Sequence, residues 1–180
     1  MSDEKWAAQF PELFAPAWVD YANADTLVTT EPIEEAEVNR LHVIAVTAQG
    51  TVVVCGSDLG WRFLPGGRRE PGESVGDLID REMLEEAGAT CTGPMRIFAS
   101  QVAISRDEHP HKPHFAHPRG QWAFAVVPVS IIGDPTSPED GEQITEVHAL
   151  APDEAAAYLA VHDPVHADMV RLAGAMGLLP

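Results

Sequence analysis

Apolar residues fall into two kinds of run along the chain, and their spacing separates strands from helices. Leu41 to Val46 and Thr51 to Cys55 are short β-branched runs with Gln49-Gly50 between them, which predicts a hairpin. Met95 to Ile104, Gln121 to Ile132 and Ile144 to Leu150 predict further strands. Elsewhere the apolar period is helical. Val75, Leu78, Ile79, Met83 and Ala87 form one stripe over residues 74–87. Ser74 with Asp77 opens it in a capping-box pattern, and Gly88 closes it. Helices are also predicted over 153–160 and 164–177, the second with Val165, Met169, Leu172 and Met176 in step. Strands interleaved with helices predict an α/β fold with a mixed sheet between helical layers. Over residues 1–40, Trp6, Phe10, Phe14, Trp18 and Tyr21 recur at roughly helical spacing, although Pro11 and Pro16 interrupt any continuous helix. This segment reads as an arm that packs on the domain of residues 41–180 or crosses to a second subunit in a homodimer.

The helix over 74–87 also carries acids where amphipathicity would not put them. With Val75 at zero and about 100° per residue, Glu82 falls near 340°, Glu86 near 20° and Glu85 near 280°. Two lie within the apolar sector and the third on its edge. Like charges at this spacing cost roughly 0.2–0.5 kcal/mol each, and desolvating unpaired carboxylates costs more. A divalent cation removes the difficulty, because hard oxygen ligands suit Mg²⁺ or Mn²⁺. Arg81 can hold one carboxylate by a bidentate contact. The bland alternative is a solvated acidic face. Upstream, Gly66-Gly67 lets backbone approach a ligand closely.

Gly67, five residues, Glu73, seven residues, then Arg81-Glu82-Met83-Leu84-Glu85-Glu86-Ala87-Gly88-Ala89 resembles the box of the Nudix hydrolases, G-x5-E-x7-R-E-U-x-E-E-x-G-U. Seven fixed residues at this spacing arise by chance about once in 10⁸ starting points. The one departure is Ala89, smaller than the usual aliphatic residue. The resemblance implies a Nudix-type α/β/α sandwich. It also implies a metal-dependent hydrolase that cleaves a diphosphate linkage in a nucleoside diphosphate joined to another group. Carried over residue by residue, it makes Glu82, Glu85, Glu86 and the Gly66 carbonyl ligands of Mg²⁺ or Mn²⁺. Arg81 then orients Glu82, Glu73 is a structural or outer-sphere partner, and Arg68, rather than Arg69, meets phosphate. Glu82, Arg81 and Glu85 form the catalytic set. The general base stays open between a box glutamate and a later-loop acid, with Glu142 ahead of Asp134, Glu139 and Asp140. Markers of the coenzyme A, NADH, ADP-ribose and dinucleoside polyphosphate hydrolases are absent, so the substrate is unassigned.

Charge narrows the partners. Eleven Lys and Arg against 28 Asp and Glu give −17, which argues against long nucleic acid but not against a small nucleotide brought in by metal ions. Apolar runs such as Ala123 to Val129 are too short to span a membrane. The acidic start lacks the regions of a secretory signal, and Cys55 and Cys91 form no disulfide framework, so a cytoplasmic enzyme is expected. The loop from Ser105 to Gly120 holds His109, His111, His114 and His117. It reads as a substrate contact or lid, with Phe115 or Trp122 stacking on a base, as an ordinary exposed loop, or as a zinc site lacking the usual spacing. Two other functions stand beside hydrolysis: a nucleotide-sensing domain without catalysis, and a diphosphate isomerase, against which the intact box weighs.

Overall fold

The structure, a computed structural model, describes residues 3–137 and 143–180. Strand β3 (Val38–Thr47) turns back into β4 (Val52–Ser57), pairing Ala45 with Val53 and Val46 with Val52. Their side chains alternate between two separate cores. Leu41, Val43 and Ala45 point with Val53 and Cys55 to one side, whereas Ile44 points with Val52 and Val54 to the other. Both faces are covered, which is why these strands read as nearly unbroken apolar runs.

Strand β9 (Arg119–Ile131) lies beside β3 in parallel, and the other pairings among the described residues are antiparallel. With β1 (Ala17–Val19), β2 (Ala24–Thr29), β8 (Arg96–Ser105) and β10 (Ile144–Leu150), the order across the sheet is β1-β2-β8-β9-β3-β4-β10. Three short strands, β5 (Arg62–Phe63), β6 (Gly66–Arg68) and β7 (Ala89–Cys91), attach to β4, β3 and β9. Helix α2 (Val75–Glu82) covers one face through Val75, Leu78 and Ile79. The other face receives α1 (Asp3–Gln9), α3 (Pro152–Leu159) and α4 (Pro164–Ala175), with Trp6, Leu159, Met169 and Leu172 fully buried. A mixed sheet between helical layers results, an α/β/α sandwich.

The expected strands and helices are present, with β3 starting three residues earlier than its apolar run. Strands within the arm were not expected. Ala24, Thr26 and Val28 are buried while Asp25 and Leu27 are exposed, a period of two that β2 completes by pairing with β8. The aromatic spacing upstream had pointed to a helical period instead. No helix among the described residues is long and apolar enough to cross a membrane.

Candidate active site

The acidic helix is fixed at both ends. Asp77 N donates to Ser74 Oγ at 3.1 Å and Ser74 N donates back to the Asp77 carboxylate at 3.3 Å, the capping box expected from the sequence. After Glu82 the coil widens, and Met83–Ala87 form a π turn. A π turn advances fewer degrees per residue than an α turn, so it rotates Glu85 and Glu86 back from the positions a regular helix assigns them. Glu82, before the turn, is buried, whereas Glu85 and Glu86 within it are half-exposed. Gly88 stops the coil at φ 58°, where a Cβ would sit 2.1 Å from the Gly133 carbonyl.

Arg81 is the hub of the acids. Its Nε and Nη2 fork onto Glu73 at 2.8 and 3.2 Å, while Nη1 donates to Glu82 at 2.8 Å and to Glu85 at 3.1 Å. A further bond from Nη2 reaches the Arg68 carbonyl at 3.2 Å. The bidentate contact thus goes to Glu73, and Glu82 receives a single bond from a nitrogen it shares with Glu85. Bonding to Glu73 raises the Arg81 pKa further above its ordinary value. For Glu73, burial raises the pKa, but the bonds from Arg81 and Glu70 N outweigh it and hold the carboxyl below the usual range. Glu82 moves the other way, because burial pushes it up against the pull of Arg81.

Neither glycine leaves room for a side chain. A Cβ on Gly67 would lie 2.1 Å from Glu82 Oε1. Gly66, at φ 144°, donates its N–H to Glu86 Oε2 at 2.8 Å, and a Cβ there would meet the Leu41 carbonyl at 2.2 Å. Among the described residues no three His, Cys, Asp or Glu side chains already form a cation cage, since Glu82 and Glu85 lean to Arg81 and Glu86 leans to Gly66. The donor chemistry nevertheless fits Mg²⁺ or Mn²⁺, which take a few carboxylates and complete their shell with water and substrate phosphate.

Across a cleft of about 480 Å³ from the acids stand Arg40 and Arg68. Among the described residues no carboxylate pairs with either. Burial and the neighbouring Arg40 charge depress the Arg68 pKa. Arg69 differs: it is tied to the Glu73 and Glu35 carbonyls at 2.6 and 2.9 Å and lies 3.8 Å from the Glu35 carboxylate. Arg40 donates to the Tyr21 hydroxyl at 2.8 Å and packs near the rings of Tyr21 and Trp122.

The segment leading to the glycines is held by two histidines, His166 buried and His42 partly buried. Leu64 N donates to His166 Nδ1, and the Leu64 carbonyl accepts from His42 Nδ1, both at 3.1 Å. The first bond requires a neutral His166 ring, because its Nδ1 must accept. Burial, then the Arg40 charge, takes His166 down to about 3, and burial with the neighbouring His166 lowers His42 well below its usual value. In the histidine loop, Asn39 clasps Ala116 through its N–H at 2.8 Å and its carbonyl at 2.9 Å, and His114 Nε2 donates to the Arg69 carbonyl at 2.7 Å.

The structure therefore gathers Gly66, Arg68, Arg81, Glu82, Glu85 and Glu86 around one cleft. Glu142, with Glu139 and Asp140, lies outside the described residues, and Asp134 is exposed near Gly88. The motif did not point to Tyr21, Arg40, His42 or His166. A signal for two of them exists in β3, where Arg40 and His42 interrupt on one face the apolar sequence that Ile44 continues.

The family model described as NUDIX domain matches residues 38–173. No curated protein sequence matches the chain. Among solved structures, the fold is similar to the pyrophosphohydrolase BsRppH of Bacillus subtilis, with 12% identity over 74% of this chain and 77% of that one at a TM-score of 0.53. It is similar also to the MutT protein of Methanosarcina mazei Go1, with 15% identity over 81% of this chain and 99% of that one at a TM-score of 0.52. At such identities the likeness is one of fold.

Proposed function

The chain belongs to the NUDIX-domain family, and from that premise we propose that it is a divalent-metal-dependent pyrophosphohydrolase. Its substrate is a nucleoside diphosphate joined to a further group, of the nucleoside triphosphate, nucleotide-sugar or ADP-ribose type. One observation carries this reading: a single cleft is lined by Glu82, Glu85 and Glu86 together with two arginines that have no carboxylate partner among the described residues. In a chain of net charge −17, arginines that acids leave alone mark an anion site. A diphosphate can bridge such a pair to cation-binding carboxylates.

On this reading Glu82, Glu85, Glu86 and the Gly66 carbonyl hold Mg²⁺ or Mn²⁺. Bound there, the ion would neutralise phosphate charge and lower the pKa of a water molecule. Arg81 restrains Glu82 and Glu85, and Glu73 restrains Arg81 in turn. Arg68 and Arg40 hold phosphate oxygens, fixing the phosphorus for in-line attack. A carboxylate accepts the proton of the attacking water. Glu85 and Glu86 face the cleft and are the box acids with access to that water, while Glu142 is the later-loop alternative. The oxygen–phosphorus bond of the anhydride breaks, and each product keeps a phosphate.

The test is incubation with Mg²⁺ and then Mn²⁺ against nucleoside triphosphates, ADP-ribose, NADH, nucleotide sugars and dinucleoside polyphosphates, following release of phosphate or mononucleotide. Cleavage of one class is expected, abolished by EDTA and by Glu86→Gln with the fold retained. Unchanged turnover in Glu86→Gln would remove that residue from the metal site. Silence across the panel, with nucleotide binding retained, would replace hydrolysis by sensing.

A further inference from the structure

We propose that Tyr21 and Trp122 are the two walls of a nucleobase slot, so that Tyr21, outside the matched family domain, helps recognise the nucleotide by its base. The proposal rests on the nucleotide reading above and names where that substrate is recognised. The two rings are nearly parallel, at 12°, with centroids 6.4 Å apart. A ring, a base and a second ring in van der Waals contact span about 7 Å, twice the roughly 3.5 Å separation of touching carbons. The centroid separation of the two rings is within about 1 Å of that span.

Arg40 flanks this gap without filling it. Its Cζ lies 5.6 Å from the Tyr21 centroid and 5.0 Å from that of Trp122, whereas a group wedged between the rings would lie about half of 6.4 Å from each. The slot is also held in shape. Tyr21 sits in the turn Asp20–Ala22, closed by Asn23 at φ 45°, and its hydroxyl accepts from Arg40. Trp122 and Arg40 are partners across the parallel β3–β9 pair. Yet Tyr21 is 70% exposed, an unusual position for an aromatic ring oriented by a hydrogen bond.

The surroundings put the parts of a nucleotide in order. A cavity of about 110 Å³ adjoins both rings, and Arg40 and Arg68 line it as well. The same two arginines line the cleft that holds Glu82, Glu85 and Glu86. The arginines are therefore shared between the ring pair and the acids. Stacking accepts any base, because each presents a π face, so the slot distinguishes a nucleotide from a bare diphosphate before it distinguishes one base from another.

The test is calorimetric titration of the full chain with ADP and, separately, with inorganic pyrophosphate, in EDTA so that no turnover occurs. ADP is expected to bind at least tenfold more tightly than pyrophosphate. Tyr21→Ala and Trp122→Ala should each weaken ADP about 10- to 100-fold and change pyrophosphate less than about twofold, and Tyr21→Phe should keep the ADP preference. Tyr21 is exposed enough that its truncation leaves the fold in place even if Trp122→Ala does not fold. Equal affinity for the two ligands, no ADP binding, or ADP affinity unaltered in Tyr21→Ala would overturn the slot. If the panel above shows turnover and the ADP preference is absent, the slot alone fails. If nothing is cleaved but the preference is present and lost in Tyr21→Ala, the hydrolase reading fails and the slot stands.

Discussion

The two walls of the cleft are built in opposite ways. Glu82, Glu85 and Glu86 come from about one turn of a single coil, positioned by Ser74 at its start and Gly88 at its end. Tyr21, Arg40, Arg68 and Trp122 come from four separated segments that meet only when β2, β3, β6 and β9 share a sheet. The difference separates chemistry from recognition. A fixed spacing along one helix can specify a metal-binding array locally, whereas a surface that reads a ligand is free to draw on any strand that ends nearby.

If the acidic wall performs the bond-breaking step and the opposite wall binds, substitutions should divide cleanly between kcat and KM. Glu85→Gln is expected to lower kcat on the order of 10²- to 10⁴-fold with KM little moved, measured on the substrate found in the panel. Gly67→Ala should reproduce much of that loss, because its Cβ would displace Glu82. A KM effect alone in either variant would erase the division.

On the other wall, Arg68→Ala should raise KM about 10- to 100-fold, the value of a charged hydrogen bond lost, and Arg69→Ala less than about threefold. Equal effects would show that the pairing of Arg69 with Glu35 and Glu73 does not keep it from the ligand. The seam between the walls is sensitive to pH. His166 is neutral when folded, down to about 3, but takes a proton near 6.5 when unfolded, so its contribution is intact above about 6.5 and lost as pH falls. By pH 5 the loss should reach about 2 kcal/mol in urea unfolding, and His166→Asn, which keeps an acceptor for Leu64 N, should flatten that part of the slope. A slope unchanged in this variant would assign acid sensitivity elsewhere. The smallest effect is expected at the cap, where Ser74→Ala should cost about 1 kcal/mol in stability and leave KM unaltered.

The same division explains what could be read from the chain alone. The box helix, its caps and the central strands were legible because each is set by neighbours within a few residues: Val75, Leu78 and Ile79 by their period, Leu41 to Val46 by β-branched content. The π turn was not, since Met83 to Ala87 fit an ordinary helix equally well, and the bidentate fork of Arg81 onto Glu73 depends on how the preceding loop folds back. Strand β2 was hidden by aromatic spacing upstream of it, although Ala24, Thr26 and Val28 carried the period of two. In the sequence Arg40 is one cation among eleven Lys and Arg. What distinguishes it is the lack of a carboxylate partner among the described residues, and that is a property of space.

The parallel pairing of β3 with β9 also bears on when the protein becomes competent. Residues 38–47 must wait for residues 119–131 before the middle of the sheet exists, so a chain still emerging from the ribosome can form the acidic coil well before the wall opposite it. Such an intermediate would hold the cation-binding carboxylates but lack Trp122, and with it the completed recognition surface. The complete cleft therefore forms only once residues 119–131 have been made.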